Sequence, residues 1–543
     1  MIEDIKIGKN VLENLTTGMY EDSKFIYREY IQNAADSIDY ASRDGLYEGE
    51  EESPSIDIEI DSERRNIRII DNGYGIKQAE VHQKLANIAD STKKKGIDKG
   101  FRGIGRLGGL AYCRSLKFKT TYPGENVETT MIWNAAKLIQ MLNDTSVTAD
   151  AEKILQDVIS YTYNPCPSDT HYFIVELDEI KEENKELLDT NKIYRYISEN
   201  APVDYSVKFH FREKIYQYIK ENNLSLSRYR ITIEGEDIQK EYSPKLFQSS
   251  GMNSPVIKEY DEIQDIEFKE FKNKNGELLG WLWFGISRYE KQIPVCNQMR
   301  GLRLRKENIQ IGDERTLVRF FKEPRGNMYF IGEVHAVHKD LIPNARRDYF
   351  NENYTRVEFE AALEDYFRNF LTPLYRNANN AKNALRKEQE HDEVKAEYEE
   401  KLRTGFTSTH EKDALESKVK IAEAESKKAQ DSYIKLVTKS GDNTVFSKVI
   451  SALESKRESR SSSLRNPPVT PPKTEERSFQ QDEVTSKPSM SESVPLITDS
   501  LVKLTSSERE LIGRVYGVIN KIMPPDKAAF LIRRIQDELN NNE

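Results

Sequence analysis

The chain has 543 residues, which at roughly 100–200 per domain allows about three to four domains and excludes a single small module. Lys and Arg number 81 against 91 Asp and Glu, a net charge of −10 at pH 7, so a uniformly basic nucleic-acid sleeve is excluded while a local basic patch is not. Hydrophobic residues make up 37% and include 28 Tyr and 21 Phe, enough to build cores in part of the chain and leave a solvated or disordered remainder. Cys113, Cys166 and Cys296 stand apart with no C-x-x-C spacing, which argues against a disulfide framework or a cysteine-rich zinc site and for a reducing compartment. The first residues carry no apolar signal core, and no run of about 18 apolar residues follows anywhere. The expectation is a soluble, cytoplasmic protein with no membrane partner.

In chain order, residues 1–180 alternate helix-period and strand-period segments with glycines gathered near position 100, the profile of a compact α+β or α/β domain. Ile56-Asp57-Ile58-Glu59-Ile60-Asp61 alternates with period two and Asn66-Ile67-Arg68-Ile69-Ile70 follows a polar turn, which predicts a hairpin ending at Asp71. Residues 200–352 hold the strand-like runs YRITIEG, GWLWFGISR and MYFIGEVHAV and the helical EKIYQYIKENN, a second α+β domain. Residues 355–456 turn helical, and Leu415, Val419, Ala422, Ser426, Ala429, Tyr433 and Leu436 keep the 4-3-4-3 spacing of a coiled-coil seam with small core residues. Residues 457–498 are rich in Ser, Pro and charge and read as a disordered linker. In 499–543, Thr505 to Glu508 forms a capping box and Pro524-Pro525-Asp526 opens a second helix, a two-helix module whose apolar faces suit docking onto a partner or a second copy.

Three segments carry chemistry. Glu29, Asn33 and Asp36 stand at i, i+4 and i+7, so a carboxylate, an amide and a second carboxylate share one helical face that can position a water or ligate Mg²⁺ through oxygen. Alone, this segment reads more readily as a solvated polar face. Asp71-Asn72-Gly73-Tyr74-Gly75 puts an acid at the end of a buried strand before glycines that permit close approach of a flat ligand, and it also reads as an ordinary turn. Gly100, Arg102, Gly103, Ile104 and Gly105, continuing to Gly109 with lysines at 93–95 before them, have the glycine density and charge of a phosphate-wrapping loop. Gly103–Gly108 matches G-x-G-x-x-G, but polar, Lys-rich sequence precedes it where a dinucleotide fingerprint needs a strand, and no G-x-x-x-x-G-K-[ST] occurs.

Together, in this order and spacing, the segments resemble the nucleotide-binding fold shared by gyrase, heat-shock chaperone, histidine kinase and MutL ATPases, the GHKL superfamily. Glu29-x-x-x-Asn33-x-x-Asp36 matches its N box, Asp71-x-Gly73-x-Gly75 its adenine box and Gly100-x-x-Gly103-x-Gly105 its flexible lid; Asp169-Thr170 resembles its late Gly-Thr strand, with Asp in place of Gly. The run Arg28 to Ile38 is similar to the ninety-kilodalton heat-shock chaperones and the MORC ATPases. The resemblance implies an α+β, Bergerat-type sandwich followed by a transducer domain, binding of ATP and Mg²⁺, Asp71 on the adenine, Asn33 on the metal, Thr170 in the pocket and Glu29 on the attacking water. Arg347, with Arg346 second, falls where both branches place a cation for the γ-phosphate; surface pairing to Asp348 is the equal alternative. Lid closure is then expected to order the N-terminal strand and promote a homodimer. A MORC-like or MutL-like clamp on DNA or a DNA-bound partner, with genome defence as one setting, stands beside a chaperone-like remodeller of protein clients. Arg300, Arg303, Arg305 and Lys306 form a basic strand that either faces nucleic acid or is a solvated face.

Overall fold

Apolar residues at Phe25, Ile26, Tyr30, Ile31, Ala34 and Ile38 recur at helical spacing, and in the computed structural model they are the buried side of a long helix. The structure describes residues 8–16, 22–48, 53–88, 103, 105–147, 149–250, 256–439, 444–465, 501 and 504–541. Two compact units divide the chain, Met1–Pro373 and Leu374–Glu543.

The first unit begins with α1 (Asn10–Thr16), α2 (Phe25–Arg43), β1 (Ser55–Asp61), β2 (Asn66–Asp71) and α3 (Gln78–Ala86), then a 3₁₀ turn at Gly105–Ala111. There follow β3 (Ser115–Thr120), β4 (Val127–Asn134), α4 (Ala135–Asn143), α5 (Ala151–Val158), β5 (Ile159–Pro165), β6 (Phe173–Asp178), α6 (Thr190–Asn200), α7 (Arg212–Glu221), β7 (Arg230–Ile233) and β8 (Glu236–Asp237). The strands form one eight-stranded sheet in the order β5-β4-β3-β6-β2-β1-β7-β8. The predicted hairpin is present, with Ile56 opposite Asp71 and Asp61 opposite Asn66. Its inward isoleucines, Ile56, Ile58, Ile67 and Ile69, share one core with Ile26, Tyr27, Tyr30 and Ile31 of α2, so the helix that carries the polar row lies across the sheet.

One boundary differs from expectation. The YRITIEG strand, assigned by sequence to the second domain, is β7 and extends the first sheet: it runs parallel to β1 with Ile231 beside Ile56 and Ile233 beside Ile58. Burying Ile231 and Ile233 beside β1 completes that core.

The rest of the first unit holds a two-stranded sheet, β9 (Lys245–Ser250) with β10 (Val256–Glu262), and a five-stranded sheet of β11 (Asp265–Lys272), β12 (Leu278–Ile286), β13 (Gly301–Lys306), β14 (Ile309–Gln310) and β15 (Ile331–Ala336) in the order β11-β12-β15-β13-β14. Helix α8 (Tyr354–Tyr366) packs on β11 and β12. The basic strand is neither solvated nor a nucleic-acid face: Arg303, Arg305 and Lys306 of β13 are 2%, 0% and 6% exposed. Acids from distant elements take up the arginines. Arg300 pairs with Glu314 at 2.8 Å, Arg303 with Glu199 of α6 at 3.5 Å, and Arg305 with Glu333 of β15. The Lys306 ammonium donates to Val337 O and His338 O.

The second unit is helical: α9 (Thr372–Thr404), α10 (Thr409–Lys439), α11 (Thr444–Arg465), α12 (Ser506–Ile522) and α13 (Pro525–Asn541). Ion pairs Lys387–Glu425 at 2.7 Å and Arg457–Glu388 at 2.7 Å tie α9 to α10 and to α11. The seven seam residues from Leu415 to Leu436 are buried or half-buried while most of their neighbours on α10 are exposed. Helix α11 runs to Arg465, into the segment expected as linker, and residues 466–500 lie outside the described residues. The capping box at Thr505 and Glu508 is formed. The two-helix module docks on its own chain: a Cβ at Gly513 would stand 2.7 Å from Thr404 O, and one at Gly517 would strike Arg403 O. Leu511, Val515, Val518 and Ile522 of α12 remain exposed.

Candidate nucleotide site

Helix α2 touches both of the other sequence segments. Its Glu29 and Asp36 are 9% and 2% exposed and Asn33 is half-buried, so the polar row faces protein rather than bulk water. One residue beyond Asp36, the Ser37 hydroxyl fills the space where a Cβ on Gly73 would stand, which seats the Asp71–Gly75 turn against the helix. Four residues before Asn33, a Cβ on Gly105 would strike Glu29 Oε2 and lie 3.3 Å from its Cδ. The C-terminal end of the lid segment therefore closes directly over the Glu29 carboxylate, and only glycine permits that approach. Tyr30 secures it, its hydroxyl donating to Arg106 O at 3.1 Å and accepting from Gly109 N at 3.0 Å. Burial raises the Tyr30 phenol well above its ordinary pKa, with Cys113 adding to the effect, so it stays a donor at any physiological pH.

Asp71 ends β2 at 3% exposure, with Oδ1 accepting from Gly73 N at 3.1 Å. Gly75 has φ +68°, and a Cβ there would stand 2.7 Å from both Thr120 Oγ1 and Tyr172 O and would strike Thr121 O. The turn is thus pinned against β3 and the entry to β6 with a backbone that L side chains adopt at a cost.

The late strand is β6, but Thr170 is not what meets the turn. Its hydroxyl donates to Pro167 O at 2.7 Å within the β5–β6 connection. His171 takes that place, with Nδ1 3.0 Å from Gly73 O. Counting by twos back from Phe173 along the strand, rather than matching a Gly-Thr pair, would have singled it out. Of the lid, Gly103 has φ +69° and Gly105 sits on Glu29, whereas Gly100, Arg102 and Ile104 lie outside the described residues, as does the N-terminal segment 1–7.

The second-domain loop reaches the same helix. Arg28 Nη2 lies 3.4 Å from Glu29 Oε1 and also donates to Arg346 O at 3.3 Å. Arg347 is 8% exposed, not a surface residue, and adopts φ +55°, held by Gly312 N donating to its carbonyl at 2.8 Å. A non-glycine residue kept in that conformation carries strain of order 1–3 kcal/mol, a feature concentrated at functional sites.

These residues suit ATP. A buried carboxylate at a strand end accepts from an exocyclic amine, and glycines at 73 and 75 let the turn after it pack against Ser37 of α2 and against Thr120, Thr121 and Tyr172, which fixes the carboxylate in place. They also suit Mg²⁺ held largely by phosphate: among the described residues no group of three or more His, Cys, Asp or Glu could hold a metal by itself, and Asn33 offers one amide oxygen.

A helix with this polar row, an acid-glycine turn seated against it and a glycine, Gly105, pressed on the same helix make the layout of a GHKL-type ATP-binding domain. Residues 23–163 match the family described as histidine kinase-, DNA gyrase B-, and HSP90-like ATPase. Individual similarities run to the chaperone protein HtpG. That of Hydrogenovibrio crunogenus is 34% identical over 93 residues, 16% of this chain and 15% of the chaperone. HtpG of Psychrobacter arcticus is 28% identical over 140 residues, 23% and 21% of the two chains, and that of Salmonella paratyphi A 26% identical over 145 residues, 24% and 23%. The N-terminal part of this chain is a GHKL ATPase domain with a distant, heat-shock-chaperone-like relationship, and the match spans less than a quarter of the length of these chaperones. Among the described residues no helix is long and apolar enough to cross a membrane.

Proposed function

We propose that the chain is an ATP-hydrolysing clamp whose lid closure on nucleotide drives homodimerisation. The observation that carries this is the convergence on α2, where Glu29 meets the lid glycine at 105, Ser37 meets the adenine-box turn, and Arg28 bonds the loop that bears Arg347. Asp71 accepts from the adenine amine, and the lid from Gly100 to Gly105 donates backbone N–H groups to phosphate. Glu29 orients the attacking water and accepts its proton, with Arg28 fixing the carboxylate; Arg347 offsets charge on the γ-phosphoryl group. Asn33 would hold Mg²⁺, which when bound would neutralise phosphate charge. Closure sequesters the site and orders the N-terminal segment, so hydrolysis times the clamp.

The clamp closes either on DNA or a DNA-bound partner, as in MORC-like genome defence, or on protein clients. The burial of Arg303, Arg305 and Lys306 in the second domain removes the one basic strand proposed for DNA, and the HtpG relationship favours a protein client. Glu29→Ala is expected to bind ATP, fail to hydrolyse it and accumulate as a dimer in light scattering, while Asp71→Asn fails to bind. Normal turnover by Glu29→Ala refutes the assignment. Turnover stimulated by double-stranded DNA with a steep salt dependence returns the choice to DNA.

A further inference from the structure

His171 lies in the extended run entering β6, two residues before Phe173, and Phe173 stands opposite Asp71 in the antiparallel pair. Side chains alternate along a strand, so His171 falls on the face of the sheet that carries Asp71. It is half-buried, and its Nδ1 is 3.0 Å from Gly73 O. A carbonyl oxygen only accepts, so Nδ1 donates to Gly73 O, and in that tautomer Nε2 is an acceptor. The next residue fixes the same place: Tyr172 N donates to Thr121 Oγ1 at 3.1 Å, and Tyr172 O closes the space beside Gly75. The imidazole is held by the turn that a bound base must cover.

We propose that His171 determines base specificity in the ATP site described above, its Nε2 accepting one hydrogen of the adenine exocyclic amine while Asp71 accepts the other. An amine has two hydrogens to give, and two acceptors set on one face of the sheet match both. A base with a carbonyl in place of the amine sets a third acceptor against those of His171 and Asp71 and offers neither a hydrogen, the kind of mismatch that discriminates most strongly between ligands.

The test is equilibrium calorimetry on the full chain with ATP, N6-methyl-ATP, which has a single amine hydrogen, and inosine triphosphate. The variant His171→Asn keeps an amide N–H where Nδ1 donates to Gly73 O and removes the acceptor at Nε2. Wild type is expected to bind ATP about tenfold more tightly than N6-methyl-ATP, the worth of roughly one hydrogen bond, and His171→Asn to hold the two within about twofold. Thr170→Ala should keep the wild-type ratio, and the melting temperature of each variant without nucleotide should match wild type. An ATP to N6-methyl-ATP ratio that is the same in wild type and His171→Asn overturns the proposal, as does a ratio abolished by Thr170→Ala. If Asp71→Asn abolishes ATP binding while the His171 ratio is unmoved, the site stands and His171 alone is misassigned; if wild type binds none of the three, both fall.

Discussion

Glu333→Gln removes the carboxylate in direct contact with two buried cations. Glu333, on β15, is fully buried and pairs with Arg305 and with Lys240 at 3.0 Å, and it accepts from Tyr205, from Tyr242 at 3.1 Å and from His335 at 3.0 Å. Burial alone raises its pKa, yet Arg305 and Lys240 hold it well below the usual carboxylate range. Burial, with Arg305 beside it, pulls Lys240 down to about 7 against the attraction of Glu333, and burial pushes His335 down to about 4, so it is neutral. One anion thus serves one permanent cation and a second that titrates. Removing the anion leaves Arg305 uncompensated, at a cost of about 3–5 kcal/mol and roughly 6–20 °C in the melting of a domain this size. Lys240→Met removes only the surplus charge and should cost far less. The folded pKa of Lys240 lies below its unfolded value of 10.5, so between about 7 and 10 the unfolded chain holds a proton that the folded chain has released. Stability then rises with pH across that window by up to about 1.4 kcal/mol per unit, and the rise vanishes below it, where both states are protonated. Thermal unfolding from pH 6 to 9, followed by the fluorescence of the buried Trp281 and Trp283 of β12, reads both effects. A Glu333→Gln protein that melts with wild type, or a pH slope unchanged in Lys240→Met, refutes this account of the cluster.

Gly75→Ala forces a side chain into φ +68° against Tyr172 O and Thr121 O and should cost roughly 2–4 kcal/mol and abolish nucleotide binding, measured by melting and calorimetry. Gly105→Ala pushes on the Glu29 carboxylate and should leave ATP affinity within about threefold while lowering kcat by at least tenfold, since about 1 Å of misplacement carries that cost; equal losses in both would place Gly105 in binding instead. Gly517→Ala sets a methyl against Arg403 O and should loosen α12 from α9, seen as faster proteolytic release of the C-terminal helices with unchanged ATP affinity.

What was legible in the sequence was local. The polar row on α2 and the β1–β2 hairpin depend on spacings of three, four and two within one element, and both form as read. The misassigned β7 depends on a parallel pairing of Ile231 with Ile56, which no local pattern encodes. The basic strand failed for the same reason. Arg303 and Arg305 alternate with Leu302 and Leu304, which matches a half-solvated strand, but their acids sit at Glu199 and Glu333 and arrive only when β15 and α6 pack beside β13. A trace was present, since Glu333 interrupts the apolar run Ile331–Ala336, and an acid inside a buried strand calls for a cation. Glycine density in the lid segment also serves packing that the sequence does not display: at Gly105 and Gly108 the missing side chain makes room for Glu29 and Phe25 of α2. On the proposed mechanism, in which Glu29 activates water and the lid moves, the contact of Gly105 with Glu29 would link nucleotide closure to hydrolysis, because the lid could not shift without changing what the carboxylate faces.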